Sequence, residues 1–406
     1  MLRVIIAFLF YSFINAQAAA AIKWNNPSNV ESDGENSYTS QPILPQETHM
    51  SDWCDRETYE LVKDPIEEEE KIYITDKQLN KARSIEAHED WFDTYINFSL
   101  YNRTASLLSN THDQSMVKDF KSLLQQIGRS KFATQVNRRK SSQRLLQTDF
   151  LLLYTYSVVA LDETGNLTED EKKTFIGYIK TRMNLNGISS SHAFKGSECT
   201  KKFMGEDKFD VFSCQNHTYG KQHLRMLVGV LTNNKNEIEK GRKLYKFAID
   251  DLGRTGALWR EASRGAYSWT YYPHALGALM AIGDIDKRLA GELFSYKNKK
   301  GQTIHDTVKF YLESLKDPTN PSLMMRYAKK NVGIDKPRKD WNNPTSLRRH
   351  QIALNKLKYH EWFPIYAHNF PKHQSVADFK STLSMKPEAP EFTYHLGLNS
   401  WCAYPH

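Results

Sequence analysis

An amide, an imidazole, a guanidinium and a phenol lie in two short stretches of this chain. QNHTYGKQH (215–223) holds Asn216 and His217, with Tyr219 close behind; WREASRGAYSWTYYPHALGALM (259–280) holds Arg264 and, seven residues on, Tyr271. One reaction uses all four types. A proton on the carbon beside a carboxylate leaves only if the charge that builds on the carboxylate oxygens is stabilised. An amide and an arginine held against those oxygens do that. A base must take the proton and an acid must protonate the departing oxygen. Tyrosine, with an ordinary pKa of about 10, can do both when cations lie beside it. On a uronic acid residue in a polysaccharide the result is β-elimination: C5 loses its proton, the glycosidic bond breaks, and an unsaturated sugar remains. The chain shows no Ser-His-Asp order, P-loop or dinucleotide fingerprint. His217, His223 and His274 form no H-E-x-x-H pattern, and i,i+6 is poor spacing for shared ligation. Neither a catalytic metal nor a cofactor is expected.

These groups need a scaffold that brings residues 216 and 271 together. Apolar residues recur at steps of three and four: Phe150, Leu153, Tyr154, Val158 and Leu161; then Leu224, Leu227, Val228 and Leu231; then Leu244, Phe247, Ala248 and Leu252, with Gly253 as a stop; then Leu276, Leu279 and Met280, with Pro273 suited to a first turn. Runs alternating at period two are few and short, and no repeat is evident. The reading is an all-α domain of antiparallel helices. Helices near 220–232, 236–251 and 264–283, joined by short connections, run antiparallel. The first and third then start at the same end, which brings His217, Arg264 and Tyr271 to one face.

The two motifs together, QNHTYG and EASRGAYSWTYYPHALGALMAIGD, resemble the alginate lyase family that cleaves poly(β-D-mannuronate), polysaccharide lyase family 5. That family carries Asn-Asn-His-x-Tyr-Trp, then Arg-Gly with a tyrosine seven residues after the arginine. HEWFPIYAHNFP (360–371) and YHLGLNSW continue the resemblance, which spans roughly residues 210–406 in order. It implies an (α/α) toroid. By position, Asn216 would neutralise the substrate carboxylate, and His217 would assist or act as base on the other uronate epimer. Arg264 would hold the carboxylate or the phenolate, and Tyr271 would be base and acid for mannuronate. Glu261, three residues before Arg264 on the same helical face, would orient it; Gln147, Arg260 and Glu261 itself are candidate substrate contacts. The chain departs from the pattern at Gln215, at Gly220 (tryptophan in the family, a sugar-stacking platform), at Trp269 and Thr270, and at Tyr272 (usually histidine).

The remaining sequence frames this domain. Residues 1–20, MLRVIIAFLFYSFINAQAAA, read as a signal peptide cleaved near Ala18, so a secreted or periplasmic protein without stable membrane anchoring is expected. Residues 21–75 read as an irregular arm, and 76–406 as the catalytic domain. Cys199, Cys214, Cys54 and Cys402 form an even set, for which disulfides are the default in an exported protein. Cys199 with Cys214, around a short polar loop, is the first pairing, and Cys54 with Cys402 would tie the ends. Net charge +8 fits an acidic polysaccharide partner; nucleic acid is not expected, and a monomer is. The run NRRKSSQR (137–144) and Trp91 and Trp362 are weaker candidates for substrate contact, with a solvated helix start and core packing as their alternatives. Two other functions remain open: a glycoside hydrolase, needing opposed carboxylates for which Glu261 and Asp284 are available, and a non-catalytic binder of acidic glycans.

Overall fold

The computed structural model describes residues 114–130, 141–188, 199–204, 209–214, 216–264, 267–316, 344–355, 357–382 and 400–404, with Leu44, Leu100, Thr104, Leu107, Met324 and Leu396. Its helices, in chain order, are α1 (Gln114–Arg129), α2 (Ser141–Glu163), α3 (Glu169–Leu185), α4 (Asn216–Leu231), α5 (Lys235–Asp250), α6 (Trp259–Ala262), α7 (Ser268–Arg288), α8 (Ile304–Lys316), α9 (Pro344–Asn355), α10 (Trp362–Asn369), α11 (Gln374–Thr382) and α12 (Ser400–Ala403). A 3₁₀ turn, Leu357–His360, precedes α10. Among the described residues no helix is long and apolar enough to cross a membrane.

One antiparallel hairpin interrupts the helices where a polar loop was expected. Strand β1 (Cys199–Met204) pairs with β2 (Phe209–Cys214), placing Cys199 directly opposite Cys214. Cys54, Trp91 and residues 137–140 lie outside the described residues, as does most of the arm; the side chains of residues 141–144 and of Cys402 are likewise undescribed.

The helices form for local reasons. Thr168 and Glu171 make a reciprocal capping box at the start of α3, satisfying two N–H groups that the helix cannot. Asn234 caps α5, accepting from the N–H groups of Asn236 and Glu237. Helix α7 begins at Ser268, so Pro273 lies in its interior rather than its first turn. Burial of Trp269 and Tyr272 against the core carries the helix back past the proline.

Helix α4 is the centre of the packing. Every one of its residues is buried, and it contacts α5, α7 and α2. The sequence makes α4 and α5 approach closely. A Cβ on Gly229 would stand 2.8 Å from the backbone nitrogen of Ile238, and one on Gly241 would stand 2.7 Å from Met226 Sδ. Moving back along α4 from Gly229 to Met226 moves forward along α5 from Ile238 to Gly241, so the helices run antiparallel. Arg225 of α4 then grips Glu237 of α5 with two nitrogens, at 2.6 and 3.1 Å.

At the far end of α7, Asp284 ties distant segments together. Its carboxylate accepts from Arg288 Nε at 2.8 Å, Asn369 Nδ2 at 2.7 Å and Tyr404 Oη at 2.9 Å. Leu44 of the arm is fastened beside it: its N–H donates to Glu163 at 3.1 Å and its carbonyl accepts from Arg288 at 3.3 Å.

Alanine in place of glycine inside a helix ordinarily stabilises it by about 1 kcal/mol. At Gly229 the sign should reverse, because the new methyl meets backbone of α5 that cannot move alone. Gly229→Ala is expected to lower stability by roughly 1–3 kcal/mol in denaturant unfolding. Gly177→Ala on α3, where a Cβ meets nothing within 4 Å, is expected to be neutral or stabilising.

Candidate active site

The antiparallel arrangement puts the first turns of α4 and α7 at one end of the molecule. The short helix α6 carries Glu261 between them. Glu261 is fully buried, and its two oxygens face different ways in the sequence. Oε1 accepts the backbone N–H of Asn216 at 2.7 Å. Oε2 lies 3.1 Å from Arg264 Nε. The first N–H groups of a helix have no partner within it and carry partial positive charge, so a carboxylate is favoured there. Glu261 therefore holds the start of α4 and the side chain of Arg264 at once.

Arg264 in turn lies against Tyr271, with its Cζ 4.4 Å from the ring centroid. A guanidinium over a phenol ring is attracted to the ring face. It also places positive charge beside the oxygen that would carry negative charge during proton transfer. Tyr271 sits in the first turn of α7, half-buried, with its ring parallel to Tyr267.

Asn216 is 4 % exposed, and neither its amide oxygen nor its amide nitrogen has a hydrogen-bond partner among the described residues. Leaving such a group buried without a partner costs roughly 1–3 kcal/mol. Its backbone is held by Glu261 while its amide stays unengaged. Asn216 begins an N-x-T sequon, but its burial leaves no room for a glycan in the folded chain. His217 follows in the same turn and is also buried.

The structure thus joins Asn216, Glu261, Arg264 and Tyr271 through direct contacts, with His217 in the same turn as Asn216. Arg260 is half-buried on α6. Gln147 is buried on α2, one residue before Thr148, whose methyl lies 3.6 Å from the Cβ position of Gly220. The turn bearing Gln147 therefore packs on the first turns of α4.

Several aromatics with equal claim by sequence belong to the core. Tyr219 is buried, and loss of solvent, with Asp251 and Glu261 nearby, pushes its phenol well above the ordinary range. Tyr272 is buried, stacked on Tyr311, with its hydroxyl bonded to Thr307 at 2.7 Å and accepting the Leu258 N–H at 3.1 Å. Trp362 is fully buried. Two groups were missed. Tyr267 and Tyr359 flank the site, and the only sequence signal is that Tyr267, Tyr271 and His274 fall at i, i+4 and i+7. Nothing in the sequence marks Tyr359.

Comparison with known proteins agrees with this architecture. Residues 160–320, about two-fifths of the chain, match the family model described as alginate lyase. No curated protein sequence matches the chain. Among solved structures, alginate lyase A1-III complexed with a tetrasaccharide aligns at TM-score 0.58 and 15 % identity, covering 78 % of each chain. Alginate lyase A1-III from Sphingomonas species A1 aligns at TM-score 0.55 and 14 % identity, covering 77 % of each. At such identity the likeness establishes the fold, an (α/α) toroid of antiparallel helices. The family match covers the stretch that contains Asn216, Glu261, Arg264 and Tyr271, and the two findings together point to a polysaccharide lyase.

Removing the Glu261 carboxylate should strip α4 of its holder and Arg264 of its counter-ion. Glu261→Ala is expected to cost roughly 3 kcal/mol of stability in denaturant unfolding. Glu261→Gln, which keeps an acceptor for the Asn216 N–H, should cost less.

Proposed function

We propose that the protein is a polysaccharide lyase that cleaves alginate, preferring mannuronate-rich chains, by β-elimination. The observation that carries this is the buried amide of Asn216, polar on both atoms and unengaged, held by the same carboxylate that orients Arg264 against Tyr271. Amide and guanidinium suit a carboxylate that gains charge, and the phenol beside them suits a proton in transit. The family match, and the tetrasaccharide in a structure of the same fold, support an acidic sugar chain as the substrate.

In the reaction, Tyr271 as phenolate takes the C5 proton of the uronate. Charge moves onto the carboxylate, where Asn216 and Arg264 stabilise it, assisted by His217. The C4–oxygen bond then breaks, a C4=C5 double bond forms, and Tyr271 returns its proton to the departing glycosidic oxygen. No water is consumed. The protein acts outside the cytoplasm in this reading, exported by residues 1–20 and stapled by a Cys199–Cys214 disulfide, a pairing supported by their opposite positions in the hairpin register.

A hydrolase would need a second carboxylate across the bond, within about 10 Å of the first. Asp284 is thirteen residues beyond Tyr271 along α7, roughly 20 Å at 1.5 Å per residue, and is engaged by Arg288, Asn369 and Tyr404. It serves the fold.

Purified protein added to polymannuronate, polyguluronate and a glucuronate polymer should raise ultraviolet absorbance, fastest on the first. Tyr271→Phe should lower kcat by roughly 10³-fold with oligomer binding retained. A flat trace on all three from folded protein, or near-normal turnover by the Phe variant, would defeat the reading.

A further inference from the structure

The beginning of α7 presents two aromatic stripes. One, Trp269 and Tyr272, is buried in the core, at 1 % and 0 % exposed. The other, Tyr267, Tyr271 and His274, is half-buried and continues to half-buried Tyr359 on the 3₁₀ turn before α10. Spacing of i, i+4 and i+7 puts the first three on one helical face. Ring centroids run 5.8 Å from Tyr267 to Tyr271, 6.3 Å from Tyr271 to His274, and 6.4 Å from His274 to Tyr359. Each step is on the scale of one pyranose unit. Helix α4, across the site, offers no comparable ring: Tyr219 is buried and Gly220 packs toward Thr148.

We propose that Tyr267, Tyr271, His274 and Tyr359 form one sugar-binding track that extends the site on both sides of Tyr271. This rests on the reading of the site as one that takes a polyuronate. The occupant is a chain of carboxylated pyranoses. Aromatic faces suit the C–H faces of such rings, and Arg264, stacked on Tyr271, supplies the positive charge for a carboxylate. The track is lopsided: one ring lies on one side of Tyr271 and two on the other. It also turns. Tyr267 and Tyr271 are parallel within 15°, His274 and Tyr359 within 18°, but Tyr271 and His274 stand 73° apart. A chain lying flat on both pairs must twist between them, beside the phenol that moves the proton. The sugars on the His274–Tyr359 side fix this twist, so longer chains should be better substrates.

Calorimetry with mannuronate trimer and hexamer in the Tyr271→Phe background tests the track apart from turnover. Tyr359→Leu keeps apolar bulk and removes the ring. It should weaken hexamer binding about tenfold and trimer binding less. In the active protein it should raise KM for the hexamer more than it lowers kcat. Tyr267→Ala should weaken the hexamer from the other side. Tyr296→Ala, a half-buried ring bonded to Asp250 at the end of α5 and outside the row of four rings, should change neither. Hexamer affinity unaltered in both Tyr359→Leu and Tyr267→Ala overturns the track. Failure of the wild-type chain to bind mannuronate, guluronate or glucuronate hexamers overturns it together with the substrate class. Ring-dependent hexamer binding with no elimination upholds the track and removes the lyase reading.

Discussion

A single buried carboxylate organises the working end of this protein. Glu261 is enclosed completely, and a charge in that position is tolerable only because both oxygens are engaged. One accepts the first N–H of α4, and the other forms an ion pair with the guanidinium of Arg264. The constraint is mutual. The carboxylate needs both partners to be stable, and the partners are thereby fixed relative to each other. Asn216 cannot shift without disturbing Arg264, and Arg264 carries the ring of Tyr271 with it. Groups more than fifty residues apart are set in one geometry by an interaction that itself takes no part in the chemistry.

The scaffold makes that interaction available. Glycines at 229 and 241 let α4 and α5 approach until side chain meets backbone, and the Arg225–Glu237 pair closes the same interface. The helix reversal then returns the chain to the end where α4 began, so α6 and α7 start beside Asn216. At the opposite end, Asp284 gathers Arg288, Asn369 and Tyr404, with Leu44 of the arm alongside. The two ends of α7 divide the labour: the first turn sets Tyr271 against Arg264, and the last turns bind the fold to its own ends.

Much of this was legible in the sequence because helices report their buried faces directly. The 3.6 period located α2, α4, α5 and α7, and short connections between α4 and α5 were enough to place residues 216, 264 and 271 at one end. Glu261 beside Arg264 followed from three-residue spacing. What sequence could not supply was the second bond of Glu261, across 45 residues to a backbone N–H that carries no residue signature. Pro273 misled because it favours a first turn in isolation, whereas burial of Trp269 and Tyr272 extends the helix ahead of it. The hairpin at 199–214 was hidden by its polar lysines and aspartates, and Tyr359 reaches the site through tertiary packing alone.

The most direct test of the central claim is the mass of the products released from a mannuronate hexamer in ¹⁸O-labelled water. A phenol that takes a proton and returns it, between an amide and a guanidinium that hold the carboxylate, predicts fragments whose masses sum to the hexamer with no label incorporated. Fragments heavier by one labelled water per cut would show hydrolysis and contradict the account.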